Sequence, residues 1–94
     1  MLNSNVVFKI REMAKQGESV CDMVVEICDS LGVGKDARVP VIAHLREAFG
    51  LGLAELMPIG AWSFFPGGTW SREEVEAQIM PLIIGSRDKW DRSK

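Results

Sequence analysis

The chain has 94 residues, of which 47% are hydrophobic and 26% charged, and its formal net charge is −2 at pH 7. These values indicate one globular domain over residues 1–94 and exclude an intrinsically disordered chain. The longest apolar runs are far below the ~20 residues that a membrane-spanning helix needs, and the first residues lack the pattern of a secretion signal. We therefore expect a cytoplasmic protein that does not act at a membrane.

The first predicted helix spans residues 4–16, with Ser4 as its N-cap and Gly17 at its end. Its apolar face is formed by Val6, Val7, Ile10, Met13 and Ala14. Phe8 falls on the opposite side of the helical wheel. We expect it either to contact a second copy of the chain or to be one of the isolated aromatic side chains that protein surfaces tolerate.

The second predicted helix begins after Ser19, its expected N-cap, and ends at Leu31. Its polar side carries three carboxylates at spacings of four and three residues, with no lysine between them: Asp22, Glu26 and Asp29, here called the acidic row. Because such a row is not paired within its own helix, it is either solvated or a docking site for a basic partner.

Two cysteines, Cys21 and Cys28, lie on the same predicted helix, seven residues apart. A helix separates them by roughly 10 Å along its axis, which is too far for a disulfide bond. We expect both to be buried, reduced thiols.

The densest apolar pattern lies in residues 38–57 and predicts two helices joined by a glycine corner. The buried side of the first of these helices consists of Val41, Ile42, Leu45, Ala48 and Phe49. Asp36 is its expected N-cap and Gly50 its left-handed C-terminal cap. A short second helix is predicted over residues 53–57, ended by Pro58.

Residues 59–70, here called the aromatic loop, hold Trp62, Phe64, Phe65 and Trp70 around a Pro-Gly-Gly turn. Their apolar residues show no helical period, which predicts a loop or a short hairpin. Each large aromatic can bury ~150 to 250 Å². We expect two or three of the four to close the open end of the helical core, and the alternative is a partner-binding surface.

Ser71 and Glu74 are expected to form a capping box at the start of the last helix. Pro81 removes one helical amide, which predicts a kink or a division into two short helices, and Trp90 is expected to fold back from a frayed tail over residues 87–94. Together the patterns predict an all-α or mostly α fold: a compact bundle of four to five short helices with the aromatic loop or a short hairpin at residues 59–70.

Two segments carry a family likeness. The first is residues 38–57, through Val41-Ile42, Arg46, the Gly50-Leu51-Gly52-Leu53 corner and Glu55; the second is residues 71–77. They resemble the helix-turn-helix and the last helix of the C-terminal domain of the bacterial ribosomal stalk protein, which contacts translational GTPases. That family's contact face is rich in lysine, whereas Ala43, Ala54 and Met57 stand at the corresponding positions here. The likeness implies a shared corner between helices, and we do not carry the family's function over.

No residue pattern indicates catalysis, a cofactor or a metal, so we predict a protein that is not an enzyme. His44, the only histidine, and the two cysteines lack the spacing of zinc ligands. The Gly32-Val33-Gly34-Lys35 segment lacks the length of a phosphate-binding loop.

The main hypothesis is a small protein-binding domain of the kind represented by bacterial immunity proteins, which neutralise a toxin. Its expected partner is another protein, such as a basic toxin domain, and the chain itself is expected to be a monomer or a homodimer. The predicted partner-binding residues are Asp22, Glu26, Asp29, Trp62, Phe64, Phe65 and Trp70.

Two alternatives are a nucleic-acid-binding helix-turn-helix regulator and a ribosomal-stalk-like factor-binding module. Nucleic acid is the less favoured partner, because the net charge is negative and residues 53–57 contain no basic or amide side chain that could read bases.

Overall fold

The computed structural model describes residues 2–34 and 37–91. Within them the chain forms six helices and no β-strand: α1 (Ser4–Lys15), α2 (Val20–Leu31), α3 (Arg38–Phe49), α4 (Met57–Ala61), α5 (Arg72–Gly85) and α6 (Arg87–Trp90). The predicted all-α bundle is therefore confirmed. The sixth helix is a single turn at the tail.

Helix α1 is capped by Asn3, one residue earlier than predicted. The Asn3 side-chain oxygen accepts hydrogen bonds from the backbone N–H groups of Asn5, at 2.9 Å, and of Val6, at 3.2 Å. Ser4 was the expected cap and instead is the first helical residue. Both residue types cap well, and Asn3 has the extended backbone from which its carboxamide reaches two free amides.

Helix α2 begins and ends as predicted. The Ser19 hydroxyl accepts a hydrogen bond from the backbone N–H of Asp22, and Gly32 ends the helix in a left-handed conformation. Cys21 and Cys28 are buried and unpaired, which confirms the expectation of reduced thiols. α2 packs between α1 and α5 in the core of the bundle.

Of the five residues predicted for the buried side of helix α3, Ile42 is half-buried and the other four are buried: Val41, Leu45, Ala48 and Phe49. Gly50 ends it with a φ of 69°, and its backbone N–H donates to the Arg46 carbonyl oxygen over 2.8 Å. A residue with a side chain adopts this left-handed conformation only at a cost. The predicted cap Asp36 lies outside the described residues, and Ala37 occupies the N-cap position without a side-chain hydrogen bond.

The short helix after the corner is displaced from its predicted position. Turns occupy residues 53–56, and α4 spans Met57–Ala61 with Pro58 in its first turn. The prediction that Pro58 ends a helix is therefore wrong. A proline lacks an N–H donor, but the first turn of a helix has no acceptor for that donor, so Pro58 can begin a helix as readily as it stops one.

Arg11 joins α1 to the carboxyl end of α3. Its Nε donates to the Ala48 carbonyl oxygen at 2.8 Å, and its guanidinium also donates to the Glu47 carbonyl oxygen at 3.0 Å. The last carbonyls of a helix have no partner within the helix, so a side chain from α1 supplies the donors that α3 lacks.

The aromatic loop closes one end of the core. The rings of Trp62 and Phe65 are buried, and those of Phe64 and Trp70 are half-buried. Trp62 stacks on Phe64 with ring centroids 4.8 Å apart, and it meets Phe65 edge to face. The loop closes where Trp62 pairs with Trp70 in an isolated backbone bridge.

Arg38 fastens the aromatic loop to α3. Its Nε donates to the Gly60 carbonyl oxygen at 2.8 Å, a second guanidinium nitrogen donates to the Pro66 carbonyl oxygen, and the guanidinium lies 5.3 Å from the centre of the Phe65 ring. One side chain therefore bonds to the start of the loop and to its central turn, and it covers an aromatic ring between them.

Helix α5 starts with the predicted capping box between Ser71 and Glu74. It runs through Pro81 to Gly85, so the alternative of two short helices divided at Pro81 is wrong. Pro81 is exposed, which lets water hydrate the carbonyl that lacks its helical donor. The start of the tail was expected to be frayed and instead forms α6. Trp90 folds back as expected: its Nε1 donates to the Ile83 carbonyl oxygen at 2.8 Å, and the ring packs edge to face on Phe49.

Candidate partner-binding surface

The acidic row lies on the outer side of α2, and two of its three carboxylates have partners on neighbouring helices. Arg72 of α5 donates to Asp22 at 2.6 Å. Glu26 accepts a hydrogen bond from the Ser30 hydroxyl at 2.6 Å and lies 4.0 Å from the Lys9 ammonium of α1. Asp29 is exposed and forms no ion pair within the described residues. The negative charge of the row is thus reduced by Arg72 and Lys9 but not cancelled.

Arg72 connects the acidic row to α5. Besides Asp22, it contacts Glu76 through a 2.9 Å ion pair between Nε and the carboxylate. The hydrogen bond from Arg72 holds the pKa of Asp22 below its ordinary value, and the bonds to both carboxylates raise the pKa of Arg72. The pair stays charged through the neutral range, so the contact is a fixed electrostatic link between α2 and α5.

An apolar groove runs along the exposed side of α5. It is lined by Glu73, Glu76, Ala77, Met80, Pro81, Ile84 and Gly85, here called the α5 groove. Ile84 is 65% exposed, among the most exposed large apolar side chains that the structure describes. Because Glu76 is bonded to Arg72 and Arg72 to Asp22, the groove adjoins the Asp22 end of the acidic row.

Sequence reasoning missed the α5 groove, although a signal was available. Ala77, Pro81 and Ile84 follow one another at spacings of four and three residues, which places them in a line on one side of a helix. The buried side of α5 uses a different line of residues, Val75, Ile79 and Ile83. Two apolar lines on one helix predict a buried face and an exposed one.

The four aromatic residues predicted to bind a partner lie at the end of the core. Trp62 and Phe65 are buried among helices, and the Phe64 ring stacks on Trp62. Trp70 is half-buried against the same cluster. Rings that already pack inside the fold have little area left for a partner. The structure brings these four side chains together in one cluster.

His44 is a buried residue of α3. It is 1% exposed, and its Nδ1 lies 2.6 Å from the Pro40 carbonyl oxygen. Its Nε2 accepts a hydrogen bond from the backbone N–H of Asn3 at 3.0 Å. Both ring nitrogens are therefore used inside the fold. No group of three or more histidine, cysteine, aspartate or glutamate side chains within residues 2–34 and 37–91 is arranged to hold a metal ion.

The two thiols are held in their protonated form. Burial raises the pKa of Cys21 to about 12, with a further contribution from the nearby Glu76 carboxylate, and burial also raises the pKa of Cys28. A protonated thiol is a poor nucleophile and a poor metal ligand. These cysteines therefore act as core residues.

Large apolar side chains are exposed around the glycine corner. Val39 at the start of α3, Leu53 in the turn and Met57 at the start of α4 are all exposed. α4 has the sequence Met-Pro-Ile-Gly-Ala, in which no side chain can donate to or accept from a base edge. None of the helices in the described part of the chain has the length and apolar content needed to cross a membrane.

Comparison of the chain with protein-family models, with curated proteins and with solved structures found no match. The likeness of residues 38–57 and 71–77 to the ribosomal stalk domain therefore stays a prediction.

Proposed function

We propose that the chain is a small cytoplasmic protein-binding domain that holds a basic protein, in the manner of an immunity protein that neutralises a bacterial toxin. One observation supports this proposal above the others. Arg72 joins the acidic row of α2 to the exposed apolar groove of α5, so that negative charge adjoins uncovered apolar area in the proposed binding face.

The charge of this face favours a basic partner. Its carboxylates outnumber its basic groups, which are Arg72 and Lys9; the carboxylates are Asp22, Glu26, Asp29, Glu73 and Glu76. An excess of one sign steers an oppositely charged protein towards the surface and disfavours like-charged competitors. Toxins that act on nucleic acids carry basic surfaces, because they must contact phosphates.

The groove would supply the apolar contact of the interface, which charged groups cannot provide. Complementary charge sets specificity and the rate of association more than it sets affinity. Stable interfaces also bury an apolar centre inside a polar rim. Ile84, Met80 and Pro81 provide such a centre, and Glu73 and Glu76 border it.

The test is affinity capture with the purified chain, followed by identification of what is bound. Two variants disturb the proposed face: Asp29→Lys reverses an exposed charge, and Ile84→Ser removes the largest exposed group of the groove. Phe8→Ser is the matched control, since Phe8 is a similarly exposed apolar residue on α1. Each variant is first checked for helicity by circular dichroism.

We expect the wild type and the Phe8→Ser variant to retain one basic protein. Its affinity, measured afterwards with the purified partner, should fall by about tenfold in each face variant, which is the size of effect typical of single interface contacts. Expression of that partner should arrest growth, and co-expression of the chain should restore it. Equal retention by all variants, retention of nucleic acid alone, or a partner without toxicity would contradict the proposal.

A further inference from the structure

A second apolar surface lies where α1 and α3 meet. Leu2 borders three adjoining depressions: the first also contains Val39 and Ala43, the second Arg46 and Glu47, and the third Phe8 and again Glu47. We call this set the Leu2 surface. Since the three depressions share Leu2, their lining residues form one continuous area.

The Leu2 surface exposes more apolar area than isolated surface residues do. Val39 is 80% exposed, Phe8 63% and Leu2 44%. Val39, Ala43 and Arg46 follow at spacings of four and three residues, which lines them up over roughly 10 Å of α3. Scattered apolar side chains need no explanation, but a contiguous group of them marks an interaction site.

The rim of this surface carries both signs of charge, and neither charged group is paired with another described residue. Arg46 and Glu47 are exposed neighbours, and no described residue forms an ion pair with either side chain. The other four arginines of the described residues all donate hydrogen bonds within the fold: Arg11, Arg38, Arg72 and Arg87. Arg46 thus differs from these four arginines, because its guanidinium has no acceptor among the described residues.

We propose that the Leu2 surface binds a second copy of the chain about a two-fold axis, with Arg46 of each copy paired to Glu47 of the other. A two-fold interface places the same surface on both sides, so the surface must complement itself. An apolar centre bordered by Arg46 and Glu47 meets this requirement. Arg11 also lines the third depression, but its guanidinium is already bonded to the Ala48 and Glu47 carbonyl oxygens. The acidic face of α2 and α5 does not, because two copies of it would repel each other.

The dimer leaves the proposed partner site open. The Leu2 surface shares no residue with the acidic row or the α5 groove. A dimer built in this way therefore has two separate partner-binding faces. The inference stands apart from the proposed function, since it needs no foreign partner.

The test measures the mass of the chain across a dilution series, by light scattering and by sedimentation equilibrium. Any purification tag is placed at the carboxyl end, so that the surroundings of Leu2 stay unchanged. We expect reversible association of the wild type, and a dissociation constant raised by Phe8→Ser. Ile84→Ser is the matched control, because it removes an equally exposed apolar group outside the surface, and it should leave the association unchanged.

Exchanging the charges of Arg46 and Glu47 tests the proposed pairing more directly than removing an apolar side chain does. Arg46→Glu alone and Glu47→Arg alone each place like charges together at both symmetric pairs, and each should raise the dissociation constant by about tenfold or more. The double variant R46E/E47R restores opposite charges across the axis and should recover the association. A wild type that stays monomeric at its highest soluble concentration would overturn the proposal and leave the surface to a different occupant. Equal effects of Phe8→Ser and Ile84→Ser, or no recovery in the double variant, would also overturn it.

Discussion

The backbone N–H of Asn3 donates a 3.0 Å hydrogen bond to Nε2 of His44, from 41 residues away in the sequence. Since Nε2 accepts, the ring proton lies on Nδ1, which points at the Pro40 carbonyl oxygen. Asn3 is also the cap of α1. One imidazole therefore sets the position of the start of α1 against α3.

The first prediction concerns this contact. His44→Leu replaces the imidazole with an apolar side chain of similar size and leaves the Asn3 N–H without its acceptor. This substitution should lower the free energy of unfolding by about 1 to 3 kcal/mol. Urea denaturation followed by circular dichroism measures the change. Gln78→Leu, on the exposed side of α5, is the control, and an equal effect of both substitutions would show that the hydrogen bond is unimportant.

The second prediction concerns Arg38 and the aromatic loop. Arg38→Met keeps the length of the side chain but removes its hydrogen bonds to the carbonyls of Gly60 and Pro66, and it should cost about 1.5 to 3 kcal/mol. Amide hydrogen exchange should accelerate within residues 60–70. Arg46→Met is the matched control on the same helix, because the Arg46 guanidinium has no acceptor among residues 2–34 and 37–91. Both variants are compared in dilute protein, and unchanged exchange in Arg38→Met would count against the role given to Arg38.

The third prediction is a pH dependence at Asp22. The hydrogen bond from Arg72 lowers the pKa of Asp22 in the folded state, so its stabilisation is present at neutral pH and is lost as the pH falls through that lowered value. Both side chains are nearly half exposed, at 44% for Arg72 and 49% for Asp22, so solvent screening limits the effect to below about 1 kcal/mol.

Denaturation of wild type and Asp22→Asn at several pH values tests this dependence. The two curves should differ at pH 7 and converge in acid. Asp29 forms no ion pair with another described residue, so Asp29→Asn should not show this convergence. A difference for Asp22→Asn that persists unchanged into strong acid would exclude Arg72 as its cause.

The fourth prediction concerns the turn of the aromatic loop. A Cβ on Gly68 would overlap the Trp62 carbonyl and lie 2.8 Å from the Ala61 carbonyl oxygen, and both are backbone atoms that cannot move alone. Gly68→Ala should therefore destabilise the fold by more than about 2 kcal/mol and expose Trp62, with a red shift of its fluorescence. Gly34→Ala is the control, because a Cβ there meets nothing. Equal stability of the two variants would refute the steric argument.

The sequence predicts those parts of the fold that depend on signals a few residues apart. Ser19 and Ser71 cap the helices that follow them, and Gly50 ends α3, because each acts on amides or carbonyls within four residues. The position of α4 could not be predicted in this way. Pro58 is compatible with the start and with the end of a helix, and packing against α3 and α5 decides between them.

The candidate site was predicted in part, for the same physical reason. The period of α2 places Asp22, Glu26 and Asp29 on its outer side, but the net charge of the row depends on Lys9 of α1 and on Arg72, which lies 50 residues beyond Asp22. The burial of His44 depends likewise on a backbone amide that lies 41 residues earlier in the sequence. Contacts between distant segments leave no mark in a local pattern.

The bonds from Arg11 to the last carbonyls of α3 mean that the glycine corner is not a transplantable unit. A synthetic peptide containing only residues 37–61 would lack the guanidinium that satisfies those carbonyls, and its helix should unwind from that end. Grafting the corner onto another scaffold would require a matching arginine on a neighbouring helix, placed so that its guanidinium reaches the same two carbonyl oxygens.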